Sequence, residues 1–304
     1  MAETTGSESK AIHVSVFGMS DQGRVRKNNE DCWVVCNLTT GEVGLAPSLR
    51  EHDLGPLGSL FMVADGMGGE ASGEVASQLA VVTVPKRLYD NLKSLGTVSE
   101  ANFVILLREA IEYANQVIFQ KAQASVGCRG MGTTTTAAAL FGQYLFVGQV
   151  GDSRAYLIRQ KKITQLTHDQ TFLNYLREIG AELPADPEKD SRKSILTQAV
   201  GTSETLDVKV TYARVYQGDQ ILLCSDGLYN MVPDADLLAV LNREEGLPDK
   251  CKALIENANA HGGADNITLI VAEFSGPGLT APAADAPVEC KEFNEEDFKP
   301  HVKS

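Results

Sequence analysis

The order of the predicted secondary structure elements constrains the fold of this chain more than any other feature of its sequence. Alternating and continuously apolar segments predict strands at His13–Gly18, Asp31–Leu38 and Ser59–Gly66. Two helices, several short strands, two more helices and a last strand follow, with the helices predicted over 71–92, 101–125, 234–243 and 248–260. A doubly wound parallel sheet would instead alternate strand and helix regularly. The order therefore predicts an α+β fold, a four-layer α/β/β/α sandwich of two antiparallel sheets flanked by helix pairs.

The chain of 304 residues is expected to form one domain. We predict that this domain covers residues 11–275, between a flexible polar leader at 1–10 and a flexible tail at 276–304 that is rich in Pro, Ala and Gly. Inside the domain, Pro85 predicts a kink or break in the first long helix. The loop at 39–58 is either a passive insertion or a surface for a partner.

Net charge, apolar runs and cysteine content restrict the functional classes to which this protein can belong. With 27 Lys and Arg against 40 Asp and Glu, the formal net charge of −13 disfavours binding to the phosphate backbone of nucleic acids. No segment approaches the run of about 20 apolar residues that spans a bilayer, and the N-terminus lacks the apolar core of a signal peptide. The 6 cysteines form no CxxC pair and no disulfide scaffold, which favours reduced thiols. We therefore expect a cytoplasmic monomer that binds neither nucleic acid nor membranes.

The stretch "VADGMGG" places a carboxylate at the end of a strand that is predicted to be buried. Asp65 ends this apolar strand, and Gly66, Gly68 and Gly69 follow it. Three interpretations are open: a hairpin turn, which Asp-Gly favours, a glycine-rich phosphate-binding loop that opens a helix, and a metal site. The third interpretation requires that other parts of the chain supply further ligands.

Carboxylates recur beside predicted strand ends elsewhere in the chain, at Glu30, Asp31, Asp152, Asp226 and Asp265. An antiparallel sheet can gather such ends on one rim, where the carboxylates repel one another and either gain protons or need a cation. Oxygen ligands without His or Cys select Mg²⁺ or Mn²⁺ rather than Zn²⁺. The glycines leave room for a backbone carbonyl and for water near an ion. The pattern by itself thus indicates a metal-dependent hydrolase in which two ions activate a water.

A set of short motifs, taken in order, resembles the metal-dependent serine/threonine protein phosphatases of type 2C, the PPM family. The motifs are "SDQGRVRKNNED", "VADGMGG", "GMGTTTTAA", "VGDSRAYL", "LTHDQ", "ILTQAVG", "LLCSDGLYNMV" and "ADNITLIV". Each motif alone is common, but the ordered set is specific and spans residues of about 12 to 274. The resemblance is greatest to the compact bacterial branch of the family. It implies the same two-sheet sandwich that the order of elements predicts.

The resemblance also implies a metal centre with two Mn²⁺ or Mg²⁺ ions. Its ligands would be Glu30, Asp65, Gly66, Asp226 and Asp265, and Asp152 with Asp226 would hold a third, weaker ion, as in bacterial relatives. By the same resemblance, Asp65 bridges the two ions, Gly66 offers its carbonyl, and Glu30 reaches one ion through water. Asp31 is expected to support these ligands rather than to bind an ion.

The resemblance also implies the family's reaction. It implies three catalytic residues, Arg26, Asp65 and Asp226. A metal-activated water would attack the phosphorus of a phosphoserine or phosphothreonine in line, without a phosphoenzyme. Arg26 would bind the phosphoryl oxygens, because a planar guanidinium offers two parallel donors. The expected partners are phosphoproteins, including a cognate Ser/Thr kinase or its substrates. We expect Arg154 to form a structural ion pair.

Met67 stands where many eukaryotic members of the family have their proposed acid, a histidine. A water of the metal centre or His168 would have to supply the proton instead, and we favour the water. Residues 168–198 correspond to the family's flap, a mobile loop suited to substrate selection. Two other functions stay open: a catalytically silent relative that binds phosphoproteins, and a metallohydrolase that acts on small phosphate esters.

Overall fold

The computed structural model describes residues 11–68, 72–184, 186, 190 and 192–298. The predicted leader at 1–10, Gly69 and the last part of the predicted tail, 299–304, lie outside these described residues. The helices of the described part are α1 (Ser72–Leu95), α2 (Glu100–Ala124), α3 (Phe172–Glu178), α4 (Asp226–Tyr229), α5 (Asp234–Leu241) and α6 (Leu247–Ala260). Among them, none combines the length and the hydrophobicity that a bilayer-spanning helix needs.

Two sheets form the centre of the described structure, and their strand pairs are antiparallel. The six-stranded sheet contains, from edge to edge, β10 (Lys162–Gln165), β9 (Arg154–Arg159), β12 (Gln220–Cys224), β13 (Ile267–Ser275), β1 (His13–Asp21) and β4 (Arg50–Asp53). The eight-stranded sheet contains, in the same way, β14 (Lys291–Glu292), β11 (Lys209–Arg214), β8 (Tyr144–Val150), β7 (Thr135–Phe141), β5 (Ser59–Met67), β2 (Asp31–Asn37) and β3 (Glu42–Gly44), and β6 (Gly132–Thr133) pairs with β5.

Three buried apolar clusters show how the layers pack. Helices α1 and α2 cover the eight-stranded sheet through a first cluster that includes Met62 and Leu88. The two sheets face each other through a second cluster, which includes Phe61 and Phe274. Helices α5 and α6 cover the six-stranded sheet through a third cluster that includes Leu254. The predicted four-layer α/β/β/α sandwich is therefore confirmed.

Helix α1 continues through Pro85, so the predicted break is wrong. A proline inside a helix removes one backbone donor and crowds the preceding turn. The surrounding residues Val81, Val84 and Leu88 are buried in the first cluster, between α2 and the sheet. Burial of these apolar side chains offsets the local penalty of the proline.

Residues 276–298 lie against the domain, which differs from the flexible tail predicted there. Strand β14 pairs with β11 at the edge of the eight-stranded sheet. Phe293 and Phe298 pack against the first cluster, and the ring centroid of Phe298 lies 4.9 Å from that of Tyr212. Tyr212 also donates its hydroxyl proton to Asp297 over 2.9 Å. We call residues 276–298 the strap, because they cover the side of β11 that faces away from β8 and would otherwise be unpaired.

The loop predicted at 39–58 contributes strands to both sheets. Strand β3 pairs with β2 in the eight-stranded sheet, whereas β4 pairs with β1 in the six-stranded sheet. The segment therefore links the edges of the two layers and is part of the sandwich.

Candidate metal centre

The predicted site residues meet at one end of the sandwich, where strands of both sheets begin or end. Glu30 and Asp31 lie at the start of β2, and Asp65 lies near the end of β5. Asp226 opens α4 just after β12, and Asp265 lies two residues before β13. The remaining carboxylate of the set occupies the turn between β8 and β9, at Asp152.

Backbone and side-chain hydrogen bonds join the two sheets at this end. The amide of Glu30 donates to the side-chain oxygen of Asn266, next to Asp265, over 2.9 Å. The hydroxyl of Ser225, next to Asp226, donates to the carboxylate of Asp31 over 2.6 Å. These bonds hold the carboxylates of the two sheets at fixed places relative to one another.

Asp31 and Asp65 are direct cross-strand partners in the pairing of β2 with β5. Like charges at such positions destabilise a sheet. Burial raises the pKa of Asp31 to about 6, although hydrogen bonds from Ser225 and Thr268 oppose the shift. Burial also raises the pKa of Asp65 well above its ordinary value, and the charges of Asp31 and Asp226 raise it further. Asp31 therefore faces Asp65 directly, and the pair favours either a shared proton or a cation.

Asp226 and Asp152 form the second part of the centre. Burial raises the pKa of Asp226 to about 8, and the neighbouring charges of Asp152 and Asp265 add to the shift. Burial likewise raises the pKa of Asp152 to about 6, with a smaller contribution from the charge of Asp169. One carboxylate oxygen of Asp226 accepts from Asn230 over 3.1 Å, but the other, Oδ1, is buried and has no hydrogen-bond partner. A buried carboxylate oxygen without a partner is unfavourable unless a cation binds it.

Arg26 forms an ion pair with one of these acids. Its Nη2 lies 2.6 Å from Oδ2 of Asp265, and 53% of its side chain is exposed. The hydrogen bond to Asp265 raises the pKa of Arg26, and the charges of Asp65 and Asp226 act in the same direction. The guanidinium therefore lies at the mouth of the centre with part of its surface open to a ligand.

Glycines let the backbones of the centre approach closely. A Cβ added to Gly66 would lie 2.3 Å from the carbonyl oxygen of Gly73 and 2.5 Å from that of Glu30. A Cβ on Gly227 would lie 2.0 Å from the carbonyl oxygen of Asn266. Real Cβ atoms do not make such contacts, so a side chain at Gly66 or Gly227 would push the carboxylate-bearing segments apart.

Two residue types that were not predicted from the sequence, Thr and Asn, support the centre. Thr134 accepts a hydrogen bond from the amide of Asp65, and Thr133 donates one to the Asp65 carbonyl, each over 2.9 Å. Asn266 also donates to the carbonyls of Gln22 and Asn28, which anchors the loop that carries Arg26. The motifs "GMGTTTTAA" and "ADNITLIV" contain these residues, and polar residues directly before an apolar run were the available signal. The structure buries Thr133, Thr134 and Asn266.

Arg154, His168 and Met67 take supporting or peripheral positions. Arg154 forms a two-pronged ion pair with Asp169 and stacks over the ring of Tyr229 at 3.6 Å, as expected of a structural partner. His168 lies 2.6 Å from Glu178 on the flap, and both side chains are exposed. Met67, at the end of β5, is 38% exposed and has no proton to donate.

The donor set fits a hard divalent cation by its chemistry and charge. In the described part of the chain, no group of three or more Asp, Glu, His or Cys side chains is arranged so that it could hold a metal ion. Asp265 is paired with Arg26 instead. The fit rests on the partnerless Oδ1 of Asp226 and on the negative charge of the buried carboxylates, which exceeds the nearby positive charge. Such oxygen-only sets bind Mg²⁺ or Mn²⁺.

Comparisons with known proteins identify the family of the chain. The family model described as protein phosphatase 2C matches residues 51–264. The chain is 34% identical over 268 residues to a serine/threonine phosphatase of Listeria monocytogenes, covering 88% of this chain and 97% of that protein.

Solved structures show the same fold. The chain is similar to the serine/threonine phosphatase of S. agalactiae, with a TM-score of 0.73 at 30% identity, covering 85% of this chain and 98% of that one. It is also similar to the catalytic domain of the serine/threonine phosphatase PstP in complex with 2 manganese ions, with a TM-score of 0.68 at 31% identity, covering 87% and 99%. The chain belongs to the protein phosphatase 2C family.

Proposed function

We propose that this enzyme hydrolyses phosphoserine and phosphothreonine in proteins, and that its ions are held by Glu30, Asp65, Gly66, Asp152, Asp226 and Asp265. The observation that carries the proposal is the partnerless Oδ1 of Asp226 within a buried group of carboxylates. The manganese ions of the similar PstP structure support two Mn²⁺ or Mg²⁺ ions here. A third, weaker ion at Asp152 and Asp226 is part of the proposal.

The bound ions would supply an activated water and stabilise charge on the phosphoryl oxygens. Arg26 would bind those oxygens with two parallel N–H groups. Its ion pair with Asp265 at 2.6 Å implies that Arg26 becomes available to a phosphoryl group when Asp265 has another cation. Asp31 would act through Asp65, which it faces across the β2–β5 pair.

Proton donation to the leaving alkoxide would come from water. Met67 cannot donate, and His168 is held beside Glu178 on the flap. Both the exposure of this pair and its location favour a surface role for His168.

The substrates would be cytoplasmic phosphoproteins, including a cognate Ser/Thr kinase or its targets, and the enzyme would act as a monomer. The 6 free thiols in the structure support a reducing compartment.

The direct test is turnover of a phosphothreonine peptide in Mn²⁺ by Asp65→Asn and Asp226→Asn, which keep the shape of the side chain and remove its charge. We expect each to lower kcat by a factor of about 10³ or more, as is usual when a central electrostatic group is lost. The matched control is Asp90→Asn, which removes an exposed carboxylate paired with Lys86 on α1. Wild-type rates in either site variant would refute the proposed centre, and activity on small phosphomonoesters alone would refute protein substrates.

A further inference from the structure

A cavity of about 410 Å³ separates the carboxylate centre from the flap. One side of it is formed by Asp152 and Asp226 of the centre. The flap also contributes to the lining, through Arg177 of α3 and Lys193. Any substrate that reaches the centre beside the flap therefore passes these two cations.

Arg177 and Lys193 differ from the third cation of the cavity, Arg154. The guanidinium of Arg154 is already neutralised, because it pairs with Asp169 at 2.6 Å. Arg177 donates to the side-chain oxygen of Asn174, which is neutral. In the part of the chain that the structure describes, neither Arg177 nor Lys193 has a carboxylate partner, and both side chains are exposed.

The net charge of the cavity depends on whether the carboxylate centre holds a cation. Its lining includes the acids Asp152, Asp169 and Asp226 and the bases Arg154, Arg177 and Lys193, so the formal charges balance. A cation held by Asp152 and Asp226, as in the proposed function, cancels their charge. The excess charge that remains on the flap side is positive and attracts anions.

We propose that this cavity is a subsite for a second anionic side chain on the substrate, near the phosphorylated residue that is hydrolysed. This inference rests on the proposed function. A planar guanidinium and a flexible ammonium on one wall suit a phosphoryl group or a carboxylate. Treated as a sphere, a volume of 410 Å³ is about 9 Å across, which an extended peptide spans in about three residues. The second anion therefore belongs two or three residues from the phosphorylated residue.

The test compares phosphothreonine peptides that differ at positions two and three residues away, on either side. One peptide set carries Ala there, one carries Asp, and one carries a second phosphothreonine. We expect kcat/KM to be about five- to tenfold higher for at least one anionic peptide than for the Ala peptide, mainly through KM, and to fall with added salt. The Asp and phosphothreonine arms show which anion the subsite takes.

The variant Arg177→Gln/Lys193→Gln should lose this preference and keep its kcat/KM for the Ala peptide within about twofold. Arg243→Gln, a charge removal at an exposed arginine outside the cavity lining, is the matched control and should keep the preference. Binding of phosphonate versions of the peptides, followed by fluorescence anisotropy, should change by the same factors without turnover.

Equal kcat/KM for all peptides, or a preference that persists in the double variant, overturns the subsite. If wild-type enzyme turns over the Ala peptide in Mn²⁺ without such a preference, the proposed function stands and only the subsite fails. If it turns over none of the peptides, both fail.

Discussion

Asp226→Asn should change how the stability of the metal-free enzyme depends on pH. The pKa of Asp226 rises from an ordinary value of 3.8 to about 8 in the folded protein, because the carboxyl group is buried beside other acids. Between these values the folded protein keeps a proton that the unfolded chain has released. The free energy of unfolding therefore falls as pH rises, by about 1.4 kcal/mol for each pH unit well below the folded-state pKa.

Between pH 6 and pH 8, the titration of Asp226 alone should lower the free energy of unfolding by about 2 kcal/mol. The loss is smaller than the full slope would give, because the pH dependence flattens near the folded-state pKa. For a domain of this size, that loss lowers Tm by about 4 °C. Divalent ions compete with the proton, so saturating Mn²⁺ should stabilise the enzyme more at pH 8 than at pH 6. An ion at 100 times its Kd adds about 2.7 kcal/mol.

The assay is urea and thermal unfolding at pH 6, 7 and 8, in EDTA and in Mn²⁺, for wild type and Asp226→Asn. The variant removes the charge and the titration of Asp226, so the difference between the two proteins reports this group together with its coupling to the neighbouring acids. The quantity to compare is the difference in unfolding free energy between metal-free wild type and Asp226→Asn. If this difference is the same at pH 8 as at pH 6, the raised pKa of Asp226 is refuted. The same holds if Mn²⁺ stabilises the variant as much as it stabilises wild type.

Three further substitutions test separate parts of the structure. Gly66→Ala should lower the free energy of unfolding by about 1–3 kcal/mol and weaken Mn²⁺ binding in calorimetry, because the added Cβ would lie 2.3 Å from the carbonyl oxygen of Gly73. Unchanged Mn²⁺ binding would contradict this close approach. Phe298→Ala should cost about 2 kcal/mol in urea unfolding, since its ring packs on Tyr212, and a loss near zero would mean that the strap is not docked in solution. His168→Ala should leave kcat within about twofold of wild type at each pH, and a large loss that follows one titration would make His168 the acid.

That the carboxylates of the proposed centre lie at one rim could be predicted from the sequence, because their positions follow a local rule. Each lies beside a strand end, and an antiparallel order of elements brings such ends to one rim. The direct opposition of Asp31 and Asp65 was not predicted, because it depends on the register of β2 against β5. Register is set by which strand faces enter the cores, and that information is distributed over the whole sheet.

The strap could not be predicted from its own composition. Its many Pro, Ala and Gly residues favour a flexible chain, and its apolar residues are too far apart to form a pattern. Its order comes from β11, an edge strand that offers backbone partners, and from the aromatic cluster around Tyr212. A tail of the same composition beside a covered edge would have no such surface to bind.

The centre combines features that each weaken a fold when taken alone. Opposed carboxylates at Asp31 and Asp65, an unpaired buried oxygen on Asp226 and a glycine required at Gly66 all run against local stability. The three apolar clusters lie between the layers, and their burial stabilises the fold enough to offset the cost of these features. Violations of local rules that gather at one rim, beside well-packed cores, are what a functional site produces. A cation relieves the charge repulsion and the unpaired oxygen together, which is the physical reason to place the metal there.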